Sequence, residues 1–257
     1  MTILPLPAFN DNYIWAILQK SKDLVWVVDP GDAEVVVHFL QQQQKSLAGI
    51  LITHHHFDHT GGVKQLKAQF NCPVYGPHHL SPLVTHPVAE GDSVTIFERS
   101  FTVFETPAHT LDHLCYFSMS DEEPILFSGD TLFRGGCGRL MEGNAQQMLA
   151  AMNRFKLLPD QTLVYCTHEY TLSNYQFALS VDPDNLQLIK ASEQCQVTRQ
   201  QGNPTLPSSI ALEKACNPFM RSNQKKLVTL AARQIQEPMA IEEDKQFSQV
   251  RRAKDAY

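Results

Sequence analysis

Thr53-His54-His55-His56-Phe57-Asp58-His59-Thr60 is the stretch that decides how this chain of 257 residues is read. It places four nitrogen and oxygen donors, His54, His56, Asp58 and His59, within six residues. In an extended segment, residues two apart leave the same face, so His54 and His56 are expected to close on one ion. Asp58 and His59 follow after one spacer, where the chain must turn, and are expected to aim at a second ion. His55 points the other way, so a supporting or solvent-facing role is expected for it. A cloning tag would be an uninterrupted terminal run, whereas Phe57 and Asp58 break this one in mid-chain.

The flanks explain how such a loop is held. Leu47-Ala48-Gly49-Ile50-Leu51-Ile52 is a short apolar run that reads as a buried strand. After Gly61-Gly62, the residues Val63, Leu66 and Phe70 recur on one helical face. The cluster thus occupies a strand-to-helix loop at the carboxyl end of a strand, where α/β folds carry their sites.

The same design recurs downstream. Phe101-Thr102-Val103-Phe104-Glu105-Thr106 alternates as a strand and is followed by Pro107-Ala108-His109. Pro124 to Leu132 is an apolar strand that ends in Gly129-Asp130, and Thr162 to Tyr170 repeats the design as a buried strand whose last residue is His168. A single histidine after a strand is usually a hydrogen-bonded core or loop residue. Four strand ends that all carry His or Asp are another matter. Together they deliver His54, His56, Asp58, His59, His109, Asp130 and His168, enough for two ions with one shared carboxylate. Imidazole and carboxylate without thiolate suit zinc, iron or manganese. Paired ions lower the pKa of a shared water towards about 7, which predicts hydroxide attack on an acyl or phosphoryl bond.

With these segments, the chain resembles the metallo-β-lactamase superfamily and, within it, the glyoxalase II family of hydroxyacylglutathione hydrolases. The T-H-H-H-x-D-H loop, the later His109-Thr110, Gly129-Asp130-Thr131-Leu132-Phe133 and His168-Glu169-Tyr170 carry the likeness. So do Asp11-Asn12-Tyr13-Ile14, Val28-Asp29-Pro30-Gly31-Asp32, Gly135-Gly136-Cys137-Gly138-Arg139, Asn203-Pro204-Thr205-Leu206-Pro207, Asn217-Pro218-Phe219-Met220-Arg221 and Arg251-Arg252-Ala253-Lys254-Asp255. The resemblance spans the whole chain. It implies that His54, His56 and His109 hold one metal, that Asp58, His59 and His168 hold the other, and that Asp130 bridges them. It implies an α/β fold: an αββα sandwich over residues 1–168 carrying a dinuclear metal centre, then an all-helical, glutathione-binding domain over 169–257. The implied reaction takes S-D-lactoylglutathione to D-lactate and glutathione, the second step of methylglyoxal detoxification, with two divalent ions, zinc foremost, and Asp58 and Asp130 catalytic around a bridging hydroxide. A monomer is also implied.

For the substrate, the resemblance implies Arg139, Tyr170, Arg251 and Lys254 as the glutathione contacts. As a bare pair three apart on the last helix, Arg251 and Lys254 would be solvated surface cations. Two departures stand out. Met141 occupies a position where some family members have tyrosine, and Ala108 replaces the family's glycine before the histidine.

Composition fits an intracellular enzyme with 43% hydrophobic residues, and neither a membrane span nor a secretory signal is read in the sequence. Six scattered cysteines fit reduced structural thiols in a cytoplasm better than a disulfide framework. The formal charge of -6 weighs against nucleic acid as partner and so against a nuclease. A β-lactam hydrolase and a one-iron persulfide dioxygenase are the other competitors. Asp58, a bridging Asp130 and a helical tail favour thioester hydrolysis over the first.

Helices are predicted over 33–44 (Val35, Val36 and Phe39 apolar, Gln41 to Gln44 solvated) and over 144–157 (Met148, Ala151, Met152, Phe155). Beyond His168 strands are expected to stop. Helices follow over 184–200 with Leu186, Ile189 and Val197 inward, over 224–236 with Leu227, Leu230, Ala231 and Ile235 inward, and from Ile241 towards Asp255 through Phe247 and Val250.

Overall fold

The computed structural model describes residues 1–119 and 123–257. The chain divides into two compact units. One comprises Met1–Thr106, Asp112–Asp130 and Tyr165–His168; the other comprises Pro107–Leu111, Thr131–Val164 and Glu169–Tyr257.

The first unit holds two sheets. β1 (Thr2–Ala8), β2 (Asn12–Leu18), β3 (Leu24–Val28), β4 (Ser46–Leu51), β5 (Val74–Gly76) and β6 (His86–Pro87) form one, in that order, antiparallel to β3 and parallel after it. β1 is an edge strand, and this is why it tolerates Pro5 and Pro7, which lack a donor for a second neighbour. β2 is buried along its whole length. Its Ile14, Ala16 and Leu18 join the core beneath α1 (Ala33–Gln43) and α3 (Val63–Phe70), while Trp15 meets Tyr165 edge-on at 4.9 Å. A strand with two buried faces needs an unbroken apolar run, and Tyr13 to Leu18 supplies one. The second sheet is antiparallel through β7 (Ser93–Ile96), β8 (Arg99–Glu105), β9 (Leu114–Ser118) and β10 (Ile125–Gly129). Tyr116 donates its hydroxyl to the Ile52 carbonyl at 2.7 Å, and the Leu114 amide donates to the Thr53 carbonyl at 2.8 Å. These bonds tie β9 to the end of β4.

The predicted elements here are present. Asp32 caps α1 by accepting from the Glu34 amide at 2.9 Å, and Gln44 ends it in a left-handed conformation. Gln41 to Gln44 are exposed as expected. Between β4 and α3 the turn anticipated at Asp58 and His59 is a one-turn helix, α2 (Phe57–Thr60).

The second unit is mainly helical. After the short pair β11 (Leu132–Phe133) and β12 (Gly136–Cys137) comes α4 (Ala145–Lys156), started by a capping box between Asn144 and Gln147, with Met148, Ala151, Met152 and Phe155 buried as predicted. β13 (Leu163–Cys166) begins in this unit, where Leu163 and Val164 pair with β14 (Ser208–Ser209). Thus the expectation that strands stop at His168 needs correction, if only by two residues. α5 (Thr171–Val181), α6 (Leu186–Gln200), α7 (Ile210–Cys216), α8 (Lys225–Gln234) and α9 (Glu243–Ala256) complete it.

Two helix faces also need correction. In α6 the buried side is Leu188, Ala191, Ser192 and Cys195; Leu186 and Val197 are exposed and Ile189 is intermediate. In α8 Val228 and Ala232 are buried beside Leu227 and Ala231, with Leu230 and Ile235 only partly covered. Small residues face inward because the neighbouring helices lie close. Among the described residues, no helix is long and apolar enough to cross a membrane.

Candidate metal centre

The sequence predicts that strand ends deliver the donors, and in the first unit they do. His54 and His56 leave the end of β4 on the same side, with His54 Nε2 and His56 Nδ1 3.0 Å apart. Asp58 and His59 follow on α2, Asp130 directly after β10, and His168 two residues after β13. The Asn12 to His168 bridge and a 2.7 Å bond from the Tyr13 amide to the Thr167 carbonyl hold that last residue against β2.

Distances around the centre have one recurring value. His59 Nε2 lies 3.5 Å from Asp58 Oδ2 and 3.5 Å from Asp130 Oδ1. His168 Nε2 lies 3.4 Å from Asp58 Oδ2 and 3.3 Å from Asp130 Oδ2. Donors bound at about 2.0–2.1 Å in a tetrahedral arrangement are separated by about 3.3–3.4 Å, so the spacing suits atoms that share an ion. The donor atoms of Asp58, His59 and His168 all fall within 4.8 Å of one another, as do those of His54, His59 and Asp130. His59 Nε2 is buried and has no hydrogen-bond partner among the described residues. A buried ring nitrogen aimed at two carboxylates without a hydrogen bond is what a metal ligand requires.

Electrostatics agree. Burial by itself would raise the Asp58 carboxyl, but the His168 hydrogen bond, the His59 charge and the Asn12 hydrogen bond outweigh it and hold Asp58 well below the usual carboxylate range. Asp130 is likewise held low against burial by His59 and His168. His59 is pushed the other way: burial opposes its charge, yet Asp130 and Asp29 raise it to about 10. These carboxylates stay ionised and ready for a cation.

Behind the donors stands a layer to which the sequence reading gave no role. Asp29 accepts from the Thr53 amide and hydroxyl at 2.8 Å each and pairs with His59 Nδ1 at 2.9 Å. It sits at φ 53, a left-handed conformation that aspartate tolerates better than most residues. Asp11 pairs with His168 Nδ1 at 2.7 Å, and Asn12 donates to Asp58 at 2.9 Å. His113 Nε2 accepts from the Asp130 amide at 3.0 Å. Such partners fix the tautomer and orientation of ligand imidazoles. The signal that could have found them is the set of polar residues bounding apolar strands: Asp29 after β3, and Asp11-Asn12 where β2 begins. Gly129, at φ 48, completes the frame, because a Cβ there would come within 2.7 Å of both His113 Nε2 and Thr53 Oγ1. His55, for which a supporting or solvent-facing role is expected, pairs with Asp112 at 2.9 Å.

The remaining candidates belong to the second unit. His109 is buried and directs Nδ1 to the Arg139 carbonyl at 2.9 Å, a bond that presents Nε2 for coordination. Ala108 is buried without a left-handed backbone, so its β-carbon is accommodated. Arg251 departs from the expectation of a solvated cation: it is 5% exposed, with Nη1 donating to the Cys137 carbonyl and Nη2 to Asp255, both at 2.9 Å. Its guanidinium also lies over the Phe219 ring at 4.9 Å, the type of seat that favours arginine. Lys254 is partly buried and donates to the Ser173 carbonyl at 3.1 Å; burial, then the charges of Arg251 and Arg139, lower its pKa. Arg139 and Met141 are exposed, and Tyr170 stands edge-on to Phe133 at 5.4 Å. All six cysteines are buried thiols outside any disulfide. Burial pushes the Cys137 thiol up to about 11, which removes it as a nucleophile.

Comparison with known proteins divides the chain between His168 and Glu169, not along the two compact units. Residues 10–168 match the profile of the metallo-beta-lactamase superfamily, and residues 169–257 match the profile described as hydroxyacylglutathione hydrolase C-terminus. A hydroxyacylglutathione hydrolase of Marinomonas sp. (strain MWYL1) is 59% identical over 257 residues, covering 100% of both chains. One of Shewanella halifaxensis (strain HAW-EB4) is 46% identical over 262 residues, again covering 100% of each. Among solved structures, ETHE1 from Myxococcus xanthus aligns with a TM-score of 0.66 at 25% identity, over 100% of this chain and 99% of that one.

Proposed function

Since the chain belongs to the hydroxyacylglutathione hydrolase family of the metallo-beta-lactamase superfamily, we propose a division of labour among its residues for the hydrolysis of a glutathione thioester. It is a thioester hydrolase that binds divalent metal, and its substrate is an S-(2-hydroxyacyl)glutathione. S-D-lactoylglutathione, yielding D-lactate and glutathione, is the substrate we assign.

Two divalent ions, zinc foremost, would complete the centre: His54, His56 and His109 would hold the first, Asp58, His59 and His168 the second, and Asp130 would serve both. Divalent ions in such a setting supply acidified water as nucleophile near neutral pH and positive charge for the carbonyl oxygen. The protein's part is to hold every donor in place. Asp29, Asp11 and Asn12 lock His59, His168 and Asp58, so little reorganisation is left for the reaction itself. Asp58, kept ionised, is suited to orient the attacking water by accepting a hydrogen bond from it. Glutathione departs as a thiolate, which leaves readily and asks little of a general acid.

Arg139, Tyr170, Arg251 and Lys254 receive the glutathione moiety. Lys254 and Arg139 offer charge to its carboxylates. Arg251 spends both Nη atoms inside the protein, so it also fixes the backbone at Cys137 that leads into Arg139. We assign residues 1–168 to the metal and 169–257 to substrate binding, in a monomer of the cytoplasm, where six thiols outside any disulfide are stable.

The observation that carries this reading is the common 3.3–3.5 Å spacing of Asp58, His59, Asp130 and His168. Purified protein should hydrolyse S-D-lactoylglutathione, followed by loss of thioester absorbance. His54→Ala and Asp130→Ala should each remove most of the rate, and chelation should abolish it until metal is restored. Unchanged turnover by metal-stripped protein would refute the reading.

A further inference from the structure

Outside the principal centre, three side chains of the first unit converge that the hydrolysis does not use. His55 Nδ1 lies 2.9 Å from Asp112 Oδ1, and His79 Nε2 lies 3.4 Å from Asp112 Oδ2. The two imidazoles stand 5.8 Å apart by ring centroid, at 75° to each other. All three donor atoms fall within 4.8 Å of one another. They arrive from separate segments: the loop after β4, the short 3-10 helix His78–Leu80, and the approach to β9.

We propose that His55, Asp112 and His79 form an additional, solvent-open binding site for a divalent transition metal. A hydrogen-bonded His55–Asp112 pair alone would account for one carboxylate oxygen and leave the other unexplained. The Asp112 side chain is only 7% exposed, and its Oδ2 is buried with no hydrogen-bond partner among the described residues. Leaving a carboxylate oxygen buried and unbonded is costly, and a cation placed between Asp112 and His79 removes the cost. Two nitrogens and one oxygen suit zinc, copper or nickel over magnesium or calcium. The 54% exposure of His79 leaves room for water to complete the coordination, as in sites with three protein ligands. An ion held there would also clamp His55, and with it the loop between His54 and Asp58.

The test uses the full-length protein with its principal centre loaded. It is dialysed against rising zinc and the bound metal is counted by elemental analysis, alongside His79→Ala and Asp112→Asn. The wild type should bind one more zinc per chain than either variant, while His79→Ala keeps its thioesterase rate. Because the count is a difference between proteins, it holds whatever the principal centre contains. Diethyl pyrocarbonate labelling, read by peptide mass spectrometry, adds a local readout: zinc should shield His79 in the wild type and fail to shield it in Asp112→Asn. Equal zinc counts in all three proteins, or His79 labelling indifferent to zinc, would overturn the proposal.

Discussion

His59 carries the sharpest consequence of the centre's electrostatics. Burial opposes its charge, but Asp130 and Asp29 raise its pKa from 6.5 to about 10, so the metal-free protein keeps it protonated near neutral pH. Metal and proton compete for Nε2. Metal uptake near pH 7 should therefore release a proton, and affinity should climb as pH rises towards about 10. Calorimetric titration in buffers of different ionisation enthalpy reads the release directly, and an enthalpy independent of buffer would contradict it. For the metal-free fold the sign reverses. A raised histidine stabilises fully below its unfolded value, so that contribution should fade as pH rises from 6.5 through about 10. Asp29 touches no substrate, yet Asp29→Asn should weaken metal binding by roughly 10–100-fold, since partners behind ligands typically matter that much. Competition with a chromophoric chelator measures this.

Among the elements, legibility followed periodicity. The strand ends around His54, Asp130 and His168 could be read because apolar runs stop abruptly at polar residues. β1 escaped, since Pro5 and Pro7 obscure an edge strand, and α5 escaped because it buries Thr171, Asn174, Tyr175 and Phe177 on several sides and shows no clear stripe. α6 was located but faced wrongly. Large side chains pointed to Leu186, Ile189 and Val197, whereas close packing against Tyr175, Ala178 and Cys216 selects Ala191, Ser192 and Cys195 with Leu188. Sequence shows which residues are apolar; it does not show how near the next helix lies. Thermal or denaturant unfolding can separate the two readings. Leu188→Ala should cost about 2–5 kcal/mol as a core truncation. Leu186→Ala, at an exposed site, should stay within about 0.5 kcal/mol. Asp29, Asp11 and Asn12 were visible as residues, but their duties depend on contacts between distant segments, 157 positions apart for Asp11 and His168.

At the scale of the whole chain, metal should count towards folding as well as chemistry. A ligand that binds only the native state adds about 2.7 kcal/mol at 100 times its dissociation constant. Chelation should accordingly lower the melting temperature, with recovery on adding zinc, and an identical melting curve with and without metal would argue against a shared centre. The order of segments bears on how the molecule is made. Residues 131–164 belong to the second unit, yet Tyr165–His168 return to the first. A ribosome extends the chain from its amino end, so Asp58, His59 and Asp130 have all emerged well before His168 reaches them. Nascent protein therefore passes through a stage in which both sheets can have begun to assemble while the cage lacks its last imidazole. Completion of the site built by Asp58, His59 and His168 becomes a late event of biosynthesis, and translation products truncated before His168 should lack tight binding there.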